Sequence, residues 1–178
     1  MIFTETPLRG AFVLELERLR DERGFFARTW CAREAARLGL NERLVQCSVS
    51  VNARTGTLRG MHYQAAPHAE AKLVRCTRGA VHDVIVDLRP GSPTYLRHVA
   101  VVLSADDGKA LYVPESMAHG FQTLTDDTEV LYQMSEFHAP THARGVRWND
   151  PAFAIAWPPA DRLIAERDRC WPDFEPER

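Results

Sequence analysis

The feature that most constrains this chain is punctuation: short runs with strand-like patterning, broken by turn residues about every ten positions. AFVLELER (11–18) alternates apolar and polar side chains, and VQCSVSV (45–51) alternates valine with small polar residues. KLVRCT (72–77), VHDVIVDL (81–88), HVAVVL (98–103), ALYV (110–113) and TEVLYQMS (128–135) follow. Between them stand NARTG, the Arg-Gly step at 78–79, RPGSP, SADDGK, PES and TDDT, rich in the residues that turns require. A period of two puts alternate side chains on one face. Many short strands at even spacing predict an all-β domain, an antiparallel sandwich or small barrel. VHDVIVDL and HVAVVL are apolar at most positions, which predicts strands buried on both faces, inside a sandwich or at a subunit interface. A homodimer that exchanges strands would bury such faces and remove exposed edges. One helix is predicted over CAREAARLG (31–39), stopped by Gly39, and a short second one within ADRLIAERD.

At 178 residues the chain is sized for one domain, 1–178. A net charge of −2 provides no basic footprint, so no nucleic-acid partner is expected. All the cationic side chains except Lys72 and Lys109 are arginine, whose planar fork suits phosphate and leaves a local anion site open. Cys31, Cys47, Cys76 and Cys170 form no CxxC pair, which argues against a zinc knuckle or a thioredoxin-type site and for free thiols in a reducing compartment. The N-terminus becomes charged before any signal-like apolar stretch, and no run is long enough to span a membrane. The expected location is the cytoplasm, with no membrane partner.

Chemistry-bearing residues concentrate in four places. TLRGMHYQAAPHAEAKLVRCTRG (57–79) holds Arg59, His62, His68, Glu70 and Lys72; YVPESMAHGFQTL (112–124) holds His119; EVLYQMSEFHAP (129–140) holds Tyr132 and His138; AERDR (165–169) holds Asp168. Two chemistries compete for them. His62, His68, Glu70 and His119 are the residue types of a metal site. The segment from His62 to His68, however, runs through QAAP, and its proline interrupts a continuous strand. Alternatively His62 is a general base oriented by a carboxylate from elsewhere, because an imidazole titrating near about 6.5 suits proton abstraction at neutral pH. Tyr132 would then return a proton from the opposite side and Lys72 would stabilise an enolate oxygen, equipment for moving a proton beside a carbonyl. On this reading His68 and Glu70 are loop-surface residues, and Trp148 and Trp157 belong to the core.

DERGFFARTW (21–30), GTLRGMHYQ (56–64), KLVRCTRGAVHDVIVDLRPGSPTY (72–95), PESMAHGFQTL (114–124), LYQMSEF (131–137), RGVRWNDPAFAIAWP (144–158) and ERDR (166–169) occur in one order along almost the whole chain. In these motifs the sequence resembles the dTDP-4-dehydrorhamnose 3,5-epimerase family. The resemblance implies a cupin-type jelly roll, a homodimer, a nucleotide-diphosphate sugar as substrate, and catalysis without metal or organic cofactor. It implies His62 as base, Asp168 as its partner, Tyr132 as opposing acid and Lys72 at the enolate oxygen. Arg23 and Arg59 are implied at the diphosphate, and Phe26, Gln46 and His119 as sugar or nucleotide contacts. Five positions depart from the family's usual residues: Arg28, Ser48, Met117, His138 and Ala143. His138 stands where a substrate-stacking tyrosine is common. These departures predict retained epimerase chemistry with an altered scope, one carbon only or a GDP- or CDP-linked sugar; a keto-sugar isomerase that shifts the carbonyl, and a metal-binding cupin, are the alternatives.

Overall fold

The computed structural model describes residues 1–176. Two antiparallel sheets pack face to face. The first is built from β1 (Ile2–Glu5), β2 (Phe12–Glu15), β10 (Ala110–Val113), β7 (Lys72–Arg78), β12 (Thr128–Met134) and β5 (Gln46–Asn52), in that order across the sheet. The second runs β13 (Ala143–Gly145), β6 (Thr57–Gln64), β11 (Met117–Thr123), β8 (Ala80–Asp87), β9 (His98–Ser104), and β14 (Leu163–Ile164) pairs in parallel with β6. Apart from the β1–β2 and β8–β9 hairpins, neighbours in each sheet are distant in sequence, the crossing pattern of a jelly-roll sandwich. A hairpin of β3 (Leu19–Asp21) and β4 (Gly24–Phe26) stands apart from both sheets.

Three apolar layers hold the sandwich. The central one packs Val74, Cys76, Leu111, Val113 and Val130 of the first sheet against Val81, Ile85, Leu103, Met117 and Phe121 of the second. The first sheet's outer face carries Leu14, Leu73, Ala110 and Tyr112 beneath α1 (Ala32–Arg37), which contributes Ala35. The second sheet's outer face packs Met61, Val84, Val86 and Ala118 against Val146 and Phe153. β8 therefore sends Val81 and Ile85 to one layer and Val84 and Val86 to another, which is why VHDVIVDL reads as continuously apolar. HVAVVL is not enclosed on both faces within one chain. As β9 it is the sheet's edge, Leu103 is buried while Val102 is exposed, and only one face is covered.

Gly39 adopts φ +70° just beyond α1 and ends it as its position predicts. In ADRLIAERD the first half is β14, because Leu163 and Ile164 take up the open edge of β6. Only Glu166–Arg169 forms a helix, α2. The strands β6 and β11, for which no alternating pattern was legible, are central in the second sheet.

Candidate active site

The register of β6 on β11 sets up the site. His62 pairs with His119 and Arg59 with Phe121, so Gly60 and Met61 together face Gly120 alone. This bulge shifts the pleat by one residue and lets Arg59 and His62, of opposite parity, line one cavity. Glycine is required at the crossing: a Cβ on Gly60 would lie 2.5 Å from the Cα of Gly120, and one on Gly120 would lie 2.8 Å from the Arg59 carbonyl oxygen.

The cavity, about 510 Å³, opens between the sheets. His62 of β6 and His119 of β11 form one wall; Ser48 and Ser50 of β5, Lys72 of β7 and Tyr132 of β12 form the other. Asp168 of α2 closes the end beside His62. Its Oδ1 lies 2.7 Å from His62 Nε2, and its Oδ2 accepts the Gly60 N–H at 3.1 Å. Burial pushes the Asp168 carboxyl up. The hydrogen bond and charge of His62, with the Gly60 N–H, outweigh that and hold it below the usual carboxylate range. An ionised carboxylate only accepts, so Nε2 carries a proton, and in the neutral tautomer this selects, Nδ1 is the ring's basic nitrogen. Burial pushes the Tyr132 hydroxyl strongly up, further than a hydrogen bond from Ser50 and the charge of Arg59 draw it down, and the hydroxyl stays protonated. The site thus sets a carboxylate-paired imidazole and a protonated phenol on opposite walls.

Two partners were not legible in the sequence. Glu70, read as a loop-surface residue, is nearly buried, and its Oε1 lies 3.1 Å from Lys72 Nζ. Lys72 Nζ also reaches the His62 carbonyl at 3.4 Å. Asp83, hidden in an apolar strand, holds His119 Nε2 through both oxygens at 2.9 and 3.1 Å. The His119 ring stands edge-on to Tyr132, with centroids 6.1 Å apart. Spacing does not identify Asp83, whose contact crosses from β8 to β11; Glu70 stands two residues before Lys72, and its burial beside that side chain is what marks the pair. The four side chains that resembled a metal set are engaged elsewhere: His62 with Asp168, His119 with Asp83, Glu70 with Lys72, and the His68 ring against His142. Among the described residues no three His, Cys, Asp or Glu converge as metal ligands.

A smaller recess adjoins the cavity, shares Ser48, Lys72 and Tyr132 with it, and adds Gln46, Glu70 and His138. Gln46 Oε1 accepts the His138 N–H at 2.8 Å. Arg59 is exposed at the cavity and donates Nε–H to Asn52 Oδ1 at 2.7 Å. Arg23 and Phe26 are not brought to this cavity by their own chain. Both lie on the exposed β3–β4 hairpin, where Arg23 pairs with Asp21 at 2.5 Å. Of the five departures, Ser48 and His138 line the cavity or its recess. Met117 is buried in the central core, Arg28 pairs with Glu34 at 3.3 Å, and Ala143 pairs with Gln64 on the sheet, so these three do not border it.

A histidine paired with a carboxylate and facing a tyrosine and a lysine, inside a jelly roll, is an arrangement suited to acid–base chemistry and defines the cupin-like class of enzyme. Comparison with known proteins agrees and sharpens the class. Residues 5–176 match the family model for dTDP-4-dehydrorhamnose 3,5-epimerase. The chain is 40% identical to the dTDP-4-dehydrorhamnose 3,5-epimerase of Sinorhizobium fredii, covering 98% of this chain and 90% of that protein. Among solved structures it superposes with TM-score 0.93 on the dTDP-4-dehydrorhamnose 3,5-epimerase of Bacillus anthracis with TDP and pyrophosphate bound, at 40% identity over 97% and 99% of the two chains. It superposes with TM-score 0.85 on a 3'-monoepimerase of Streptomyces bikiniensis in complex with dTDP-quinovose, at 34% identity over 94% and 85%. The chain belongs to the dTDP-4-dehydrorhamnose 3,5-epimerase family, whose members are isomerases.

Proposed function

We propose that this protein epimerises a dTDP-linked 4-keto-6-deoxy sugar, by deprotonation and reprotonation beside the ketone. The observation that carries the reading is the His62–Asp168 pair at 2.7 Å on one wall of the cavity, with Tyr132 on the other. The C4 carbonyl acidifies the protons on C3 and C5. Nδ1 of His62 takes one of them, the C–H electron pair forms the enolate, and the negative charge settles on the C4 oxygen near the Lys72 ammonium. The Tyr132 hydroxyl gives its proton to the opposite face of the same carbon, which inverts the centre, and solvent restores both groups. General acid and base steps of this kind each contribute on the order of 10²–10⁴-fold. The nucleotide supplies binding energy that holds the ring in register with the two walls, with Arg59 at the diphosphate.

A homodimer in the cytoplasm completes the reading. β5 is an edge strand that leaves Val49 and Val51 exposed, at 56% and 53%, and the hairpin exposes Phe25 and Phe26, at 50% and 72%. An edge of this kind needs cover. Among the described residues no helix is long and apolar enough to cross a membrane.

The test is incubation in D₂O with dTDP-4-keto-6-deoxyglucose and, in parallel, its GDP- and CDP-linked counterparts. Deuterium at C3 and C5 of the dTDP sugar is expected. No exchange on any of the three, with His62→Asn indistinguishable from the parent, overturns the proposal. A second reading, inversion at one carbon only, is favoured by Ser48 and His138 at the cavity. Exchange confined to C3 or C5 would establish it.

A further inference from the structure

Beyond Asp168 the chain becomes a strap across the outer face of the second sheet. Trp171 lies against Gly145 of β13 so closely that a Cβ there would overlap Cε2 and Nε1 of the indole. Gly145 is the register partner of His62. Further on, Asp173 pairs with Arg147 at 2.5 Å, the Phe174 N–H donates to Asp150 Oδ2 at 2.6 Å, and the Phe174 ring packs 5.2 Å from Phe153. Upstream of Asp168, Leu163 and Ile164 pair with Thr57 and Leu58 of β6. α2, which carries Asp168, has four residues and no side-chain cap, so its position comes from these anchors and not from helical stability of its own.

We propose that Trp171, seated on Gly145, is the positioning residue that sets the Asp168 carboxylate at hydrogen-bond distance from His62. The proposal rests on the base–carboxylate reading of the site. Its physical basis is that base and seat share one ladder: His62 and Gly145 are paired on β6 and β13, so the indole measures the approach of α2 against the strand that carries the base. The Arg167 guanidinium stacks 5.4 Å from the Trp171 ring and ties α2 to it. Trp171 Nε1 is buried without a hydrogen-bond partner, so shape and not polarity places the indole. A methyl group at residue 145 therefore has one soft response, lifting the strap and drawing Asp168 from His62. Misplacement by about 1 Å can cost on the order of 10²-fold in rate.

The test combines turnover with a readout that does not need it. In protein labelled with ¹⁵N-histidine, the hydrogen-bonded Nε2–H of His62 gives a sheltered downfield proton signal, assigned by its loss in His62→Asn. Gly145→Ala is expected to abolish that signal while the amide spectrum stays folded, and to lower kcat by about 10- to 100-fold with KM little changed. Gly145→Ala combined with Trp171→Phe, whose narrower ring leaves room for the methyl, is expected to restore both. Trp171→Ala alone, which removes the anchor without crowding, is expected to lose the signal. Retention of signal and kcat in Gly145→Ala, or in Trp171→Ala should Gly145→Ala not fold, overturns the proposal, as does a double variant no better than the single. A parent protein inert toward every keto sugar, with the signal still following the series, would overturn the epimerase reading and uphold the positioning role.

Discussion

At the scale of single residues, the proposed mechanism gives Asp168 and Tyr132 different tasks, and their variants separate the two. Asp168→Asn offers an amide of the same shape, but its NH₂ can donate to Nε2 and hold the imidazole in the wrong tautomer. Abstraction is then lost, and both deuterium exchange and epimerisation should fall by about 10²–10⁴-fold. Tyr132→Phe leaves the base and its carboxylate intact, with the proton donor on the far wall gone. Exchange returned to the original face should persist while inverted product falls by about 10²–10⁴-fold. NMR of the product sugar after incubation in D₂O distinguishes the patterns. Equal loss of exchange and inversion in Tyr132→Phe would show that the tyrosine does more than donate that proton. The carboxyl of Asp168 lies below the usual range, so its ionised form is complete at neutral pH and is lost only as pH falls through and beneath the ordinary aspartate range.

At the scale of elements, the end of β8 carries a second charge network, away from the site. Asp87 is fully buried and takes hydrogen bonds from Arg89 Nε and Nη2 at 2.8 Å each, and from Ser92 and Thr94 hydroxyls at 2.6 Å. Burial pushes its carboxyl up, but these bonds outweigh burial and bring it down to about 2. A lowered folded pKa stabilises the protein above the unfolded value and is lost as pH falls through the folded one, here a contribution of about 2 kcal/mol between about pH 5 and pH 2. Asp87→Asn should therefore unfold at lower temperature than the parent near neutrality, with the gap narrowing toward about pH 2. A pH-independent gap in thermal melts would assign the loss to packing. The same scale shows what the sequence could carry. β7, β8 and β10 were legible because two-layer burial writes itself as apolar runs, and β12 by its strand-forming residues. His62, Tyr132, Lys72 and Asp168, named together by their motifs, line one cavity. β6 and β11 were not legible, since the Gly60–Gly120 crossing and its bulge break the period of two at the point that builds the site. Asp83 was missed for a related reason: a lone acid in an apolar strand gains meaning only from the partner that another strand brings. Glu70 has its partner two residues on, and only the fold shows that the pair is buried.

At the scale of the whole molecule, the cavity of one chain holds the acid–base groups but not Arg23 or Phe26, which stand on the exposed hairpin. If Arg23 serves the diphosphate, as its motif implies, a second copy must deliver it, and the same contact would cover the exposed phenylalanines and the edge of β5. Sedimentation should then give a dimer, and Phe26→Asp should shift it toward monomer. Subunit complementation tests delivery directly. An Arg23→Ala chain keeps its own base, and a His62→Asn chain keeps its own arginine; each homodimer is defective. Mixed together, the Arg23→Ala chain's cavity receives an intact arginine from its neighbour, and each heterodimer should regain about half of the parent activity through that one complete site. Arginine acting within its own chain predicts no recovery, because every cavity in the mixture would then lack either the base or the arginine.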